Sequence, residues 1–304
     1  MKIVNAVLSL LQETIKGWQE ANGSLLAAAL AYYTITSLAP LLVIIVSIAG
    51  LVYDKAVVRD LLAAEMSKVV GSQGASLTLT IFESASHTRV GGLATGLSLA
   101  VMVFMASMLF VRLKQAINAL WGIAPHPEKS LILRLRIQFL SILMVLLIGL
   151  LLLVSMTAST FLVFINHYLA AMPQVEVLLQ RLPEADFGMV FLLFTLLFSI
   201  AFKTLPEVKI AWRDVWLGAA VTGLAFTVGE FVIGYYLARM NPSGAFGAAS
   251  SVVAILIWVY YSMQIILLGA KFTQVFSNRY GSQVLPSTTA VRVIRNLEDN
   301  SKIL

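Results

Sequence analysis

Residues 31–42 read AYYTITSLAPLL, an apolar run that also holds two tyrosines, two threonines, a serine and a proline. How this stretch is read decides the fold. A segment crossing hydrocarbon avoids unpaired hydroxyls, and a soluble core helix avoids an internal proline. The run is therefore a membrane span, a cleaved signal, or the wall of a wet cavity inside a membrane protein. Composition narrows the choice. The 304 residues are 59% hydrophobic and 12% charged, with mean hydropathy +0.89. Soluble domains sit near ~45–50% apolar and ~25% charged. A chain this poor in charge cannot cover a water-facing surface of its own.

Working outward, the run lies in an apolar segment over 24–53, and five more follow at 91–111, 137–165, 187–204, 214–238 and 246–276. Each is close to or above the ~17–25 residues a helix needs to cross a bilayer. Residues 137–165 exceed that need, which favours tilt. The expected fold is an all-α, polytopic bundle of six transmembrane helices, forming one integral membrane domain over 1–304 with a cytoplasmic tail at 277–304.

The net charge is +6 and the pI about 9.5. Fourteen of the 21 basic residues fall in the N-terminal segment, the second and fourth loops and the tail. Six fall on the opposite side, and Lys271 lies within the last span. The positive-inside rule then places both termini in the cytoplasm. Trp121, Trp212 and Trp216 fall at the expected inner boundary, and Tyr168, Tyr235 and Tyr236 near the outer one. Amphipathic rings favour the headgroup zone.

Two further segments are amphipathic. Val4, Val7, Leu8, Leu11, Ile15 and Trp18 repeat at helical spacing, with Asn5, Ser9, Gln12, Glu13 and Lys16 on the other face. This suits an interfacial helix over 1–20 on the inner leaflet, or a cytosolic helix packed on the loops. Glu13 and Lys16 interrupt the run too early for a signal peptide. In the first loop, Val57, Val58, Leu61, Leu62, Met66 and Val69 precede GSQG at 71–74. Short periplasmic amphipathic helices are expected there.

Four stretches carry a family resemblance: NGSLLAAALAYYTITSLAPLL (22–42), LFVRLKQAINALWGI (109–123), LPEVKIAWRDVWLGAA (205–220) and GAFGAASSVVAILIWVYYSMQIILLGAKFTQVF (244–276). With these, nearly the whole chain resembles the YihY/BrkB family of bacterial inner-membrane proteins. The resemblance implies six spans with both termini inside. It also implies a link to envelope and virulence traits, and for some members to export of lipid A-type lipids. It transfers no catalytic residue. Many members carry Glu where this chain has Lys271.

Single residues add candidates. Glu230 sits inside the fifth span, where a carboxylate costs about 2.5–3.5 kcal/mol on insertion scales and so seeks a partner or a wet cavity. Gln264 is uncharged but costly without a partner, and is either interhelical glue or pathway lining. Trp258, Tyr260, Tyr261 and Ser262 share its span. Lys271, near the end of that span, reads first as a snorkelling lysine. Gly92, Gly96 and Ala100, and Ala219 with Gly223, form small-residue rows for close helix packing; homo-oligomer contact through the Gly92–Gly96 face is the alternative. Pro40 removes an amide donor and favours a kink or break, with Tyr32, Tyr33, Thr34, Thr36 and Ser37 close enough to satisfy freed carbonyls. The opening run therefore reads as the bent first span, its N-terminal half facing protein or water. A cavity wall and ordinary hydrogen bonding around a proline kink are both open.

His87, His126 and His167 are scattered, and no HExxH, Walker loop, GxSxG or paired metal-ligand spacing occurs. No catalytic residue, metal or cofactor is expected. The topological role of the basic residues leaves no call for nucleic acid. Arg112, Lys114, Lys129, Arg134 and Arg136 would suit anionic lipid headgroups instead. Two functions remain: a transporter of a lipid-like or amphipathic substrate through a polar cavity lined by Glu230, Gln264, Tyr32, Tyr33, Thr36, Ser37, Pro40 and Tyr260, or a non-transporting scaffold for envelope assembly.

Overall fold

In the computed structural model, residues 2–49, 92–125, 182–239, 250–287 and 290–293 are described, with scattered positions between 54 and 83 and between 139 and 147. Apart from those scattered positions, the expected span at 137–165 and the first-loop helices lie outside the described residues, as do the surroundings of Gly92 and Gly96. Among those described, six helices follow in order: α1 (Lys2–Glu20), α2 (Gly23–Ala49), α3 (Gly92–Leu120), α4 (Leu182–Thr204), α5 (Trp212–Arg239) and α6 (Ser250–Tyr280). α6 is the hub, touching α1, α2, α3 and α5, while α3 also packs on α2 and α4 on α5. The stretches Val103–Leu120 and Ile255–Tyr280 are long and apolar enough to cross a bilayer, and Val190–Thr204 is a shorter apolar helix.

The described residues are mostly helical, as expected, with one addition. Four short strands form two antiparallel ribbons: β1 (Ile123–Pro125) with β4 (Ala290–Arg292), and β2 (Val208–Lys209) with β3 (Leu285–Pro286). The segment read as a tail thus folds back and ties two interhelical connections together. Turn chemistry sets this up. α3 ends at Gly122, whose φ of 68° suits a residue without Cβ, and the Gly122 carbonyl accepts from Val293 N–H at 2.8 Å. α6 ends similarly before Gln283 at φ 63°, while Asn278 Oδ1 accepts from Val284 N–H at 2.9 Å.

α2 is one continuous helix through Pro40, so of the kink or break expected there no break forms. Its hydroxyls turn back on their own helix. Thr34 donates to the Leu30 carbonyl at 2.8 Å, Thr36 to Tyr33 at 3.0 Å and Ser37 to Thr34 at 3.1 Å. This local bonding is what lets so polar a run remain helical. α1 and α2 meet at Asn22 (φ 54°), a residue that tolerates the left-handed region.

α5 and α6 pack antiparallel along a seam of small residues. Thr273 lies against Gly218 and Thr222 against Gly269, each so close that a Cβ on the glycine would clash. A Cβ on Gly223 would fall 2.8 Å from Thr195 Oγ1 of α4. The Ala219–Gly223 row therefore serves packing within the chain. Behind it, Phe194, Phe198, Phe202 and Phe226 form a ring cluster with centroids 4.6–6.0 Å apart.

The opposite face of α5 is also apolar. Leu217, Val221, Leu224, Val228 and Val232 are all exposed, while Val215, Ala219, Thr222 and Phe226 are buried. A helix apolar on both its packed and its open faces has hydrocarbon as solvent. α1 shows three faces. Leu10 and Thr14 are buried toward α6, Ser9 and Glu13 meet Arg279 of α6 at its edge, and Val4, Val7, Leu8, Leu11 and Ile15 are open. Trp121 is packed inside the protein: it is 3% exposed, its indole N–H donating to the Ala270 carbonyl at 3.0 Å.

Candidate functional site at the α3–α6 junction

The structure gathers polar chemistry where α1, α3, α6 and the strand ribbons meet. α3 carries Phe110, Ile117 and Trp121 on its buried face, and Lys114 shares that face by helical spacing. Lys114 is 8% exposed, its ammonium 2.9 Å from the carboxylate of Glu207. Glu207 is held by its backbone as well: its N–H donates to Asn118 Oδ1 at 3.0 Å, and its carbonyl accepts from Ser287 N–H at 2.9 Å. Pairing is what makes two buried charges tolerable.

One turn of α6 completes the junction. Lys271 donates to the Leu120 carbonyl at 3.1 Å and to Gln274 Oε1 at 2.8 Å. Gln274 in turn donates to the Trp121 carbonyl at 2.8 Å. A cation is well placed there, because the last carbonyls of α3 carry the negative end of its dipole. Gly17 of α1 makes the room: a Cβ on it would come within 2.5 Å of Lys271 Cε.

Gly17, Lys114, Asn118, Glu207 and Lys271 line an open cavity of about 870 Å³. Its polar groups are Glu20, Lys114, Gln115, Asn118, Glu207 and Lys271, and the rest of the wall is mostly apolar, including Val111, Leu120, Trp121, Ile123 and Val293. A smaller cleft of about 490 Å³ lies beside Trp18, Ser24 and Tyr260.

Of the residues expected to line a polar cavity, those whose side chains are described lie on α2 and α6, and Tyr260 borders the smaller cleft. Tyr260 reaches Ser24, oxygen to oxygen at 2.8 Å. Tyr33 lies under the Arg112 guanidinium, 4.8 Å from the ring centre. Tyr32 and Thr36 face outward, Ser37 is buried, and Pro40 is half-buried. The Gln264 carbonyl oxygen is buried with no hydrogen-bond partner among the described residues. Glu230 lies on α5, but its side chain is outside the described residues, as are Arg134 and Arg136.

Of the expected lipid contacts, Arg112 is half-buried and donates to Gln115 at 2.9 Å. Lys114 is corrected: it is an inward-facing partner of Glu207 rather than a lipid-facing cation. In the sequence it reads as a topological charge and a candidate lipid contact. The signal that could have found it is its position four residues after Phe110 and three before Ile117. Glu207 was legible as an acid among basic loop residues, but its partner, 93 positions away, was not.

Fold and site together define an integral membrane protein built as a helical bundle. The family model described as "Virulence factor BrkB" matches residues 14–292, and the chain belongs to that family. Similar proteins include a UPF0761 membrane protein of Ralstonia nicotianae, 29% identical over 63% of this chain and 41% of its own length. Another, from Coxiella burnetii, is 29% identical over 83% of this chain and 87% of its own. A third, from Tolumonas auensis, is 33% identical over 24% of this chain and 25% of its own. The chain thus spans well under two thirds of the Ralstonia and Tolumonas proteins it matches. No solved structure matches it.

Proposed function

We propose that this chain is a six-span protein of the bacterial inner membrane, with both termini cytoplasmic, that moves a lipid-like or amphipathic molecule. The observation that carries the reading is the cavity at the α3–α6 junction: about 870 Å³, mostly apolar walls, and a few fixed charges. Such a space accepts a polar head while the apolar remainder of the molecule stays in the bilayer. The excess of basic residues in this half of the chain's loops supports a cytoplasmic position for it. α2 and α5, of 27 and 28 residues, are each long enough to span the hydrocarbon alongside the two stretches noted above. Arg112 with Arg134 and Arg136 forms the proposed contact with anionic headgroups.

The scaffold reading draws on a different observation. The hydroxyls of Thr34, Thr36 and Ser37 all bond within α2, which suits a sealed bundle as well as a conduit. Reconstitution separates the two. Vesicles containing the purified chain should move a fluorescent short-chain phospholipid between leaflets faster than protein-free vesicles, read by dithionite quenching. Equal rates would leave the scaffold.

A further inference from the structure

Two cations, Lys114 and Lys271, and two carboxylates, Glu20 and Glu207, line the large cavity, but they are not all in contact pairs with one another. Lys114 and Glu207 form a contact pair at 2.9 Å. Glu20, at the α1 edge, carries Lys16 at 3.9 Å. Lys271 is different. Both hydrogen-bond acceptors of its ammonium, the Leu120 carbonyl and Gln274 Oε1, are neutral; Glu20 and Glu13 attract it only from beyond ion-pair distance. An ammonium has three protons to donate, so one remains for an occupant of the cavity. A half-buried cation whose hydrogen-bond partners are all neutral is stabilised by an anion that comes with its own oxygen acceptors.

We infer that the cavity at the α3–α6 junction is a binding site for a phosphate-bearing group, with Lys271 as the contacting cation. Gln115 and Asn118 line the same space and offer amide N–H groups to further phosphate oxygens. The apolar wall of Val111, Leu120, Trp121, Ile123 and Val293 suits the carbon next to the phosphate. The volume of about 870 Å³ exceeds what a bare phosphate fills and accommodates a headgroup with its glycerol. Gly17 is part of the design, since it lets the Lys271 stem cross under α1 to reach the cavity. The inference concerns binding and holds whether or not the occupant is carried across the bilayer.

The test uses the full-length chain in dodecyl maltoside micelles, with tryptophan fluorescence as the readout because Trp121 lines the cavity. Inorganic phosphate and dioleoyl phosphatidylglycerol are the two probes, and dioleoylglycerol is the phosphate-free control. A saturable response to at least one phosphate-bearing probe, absent with dioleoylglycerol, is expected. A response to phosphate alone identifies a free anion as the ligand, and a response to phosphatidylglycerol alone identifies a lipid headgroup. Lys271→Gln should weaken the response about ten-fold or more, the order expected for one charge-assisted hydrogen bond. If that variant does not fold, Gln115→Phe at the exposed rim narrows the cavity away from Lys271 and should give the same loss. The inference is overturned by silence of both phosphate probes or by an equal response to dioleoylglycerol. It is also overturned by undiminished binding in folded Lys271→Gln, or in Gln115→Phe where that variant takes its place.

Discussion

Lys114 and Glu207 show how one ion pair organises a junction. Each charge is desolvated and each is needed by the other, so removing one leaves the other stranded. Lys114→Met should lower stability by about 3–5 kcal/mol, the cost of breaking a buried pair from one side. The double variant Lys114→Met with Glu207→Leu should recover much of that loss, because no lone charge remains. Thermal unfolding of the purified chain in detergent measures both, and a double variant less stable than the single one would contradict the pairing. The lysine's position on the inward face was legible from helical spacing. That its partner would come from the LPEVKI segment was not, since nothing local in either stretch refers to the other.

At the scale of the helix, the α5–α6 seam is the clearest device. Thr222 and Thr273 each donate to the glycine carbonyl four residues earlier in their own helix, at 2.7 and 2.8 Å. Each then stands against the glycine of the facing helix. The hydroxyls are satisfied locally, so their methyl and oxygen atoms can serve as packing surface in an apolar medium. Asp214 closes the same seam at one end, accepting from Ser277 Oγ and from Ser282 N–H and Oγ, each at 2.8 Å. Gly269→Val should cost about 1–3 kcal/mol through overpacking against Thr222, measured as a fall in detergent melting temperature. Gly188, with open space around it, is the control: Gly188→Ala should change little. The small-residue rows were visible in sequence. Which helices they join was not, because a glycine reports that something comes close without saying what.

The whole molecule is a bundle with two apolar surfaces, one packed and one open, capped at one end by paired ribbons and a polar cavity. Reporter fusions at residue 304 and within 54–90 should report opposite faces of the membrane, with the C-terminal fusion cytoplasmic. The reverse assignment, or one face for both, would break the proposed topology. Composition and the spacing of apolar runs were sufficient to determine a membrane-embedded helical protein, because the solvent acts on every residue alike and leaves its mark in averages. The same reasoning located α1 and its outward apolar stripe, since helical periodicity is local. Only the tertiary structure decided that α2 passes Pro40 unbroken and that residues after 280 return to pair with the connections at 123–125 and 208–209. It likewise decided that Lys114, Glu207 and Lys271 share one cavity. Those facts depend on which distant groups come within hydrogen-bonding distance, a range of about 3 Å that chain packing sets and local sequence does not encode.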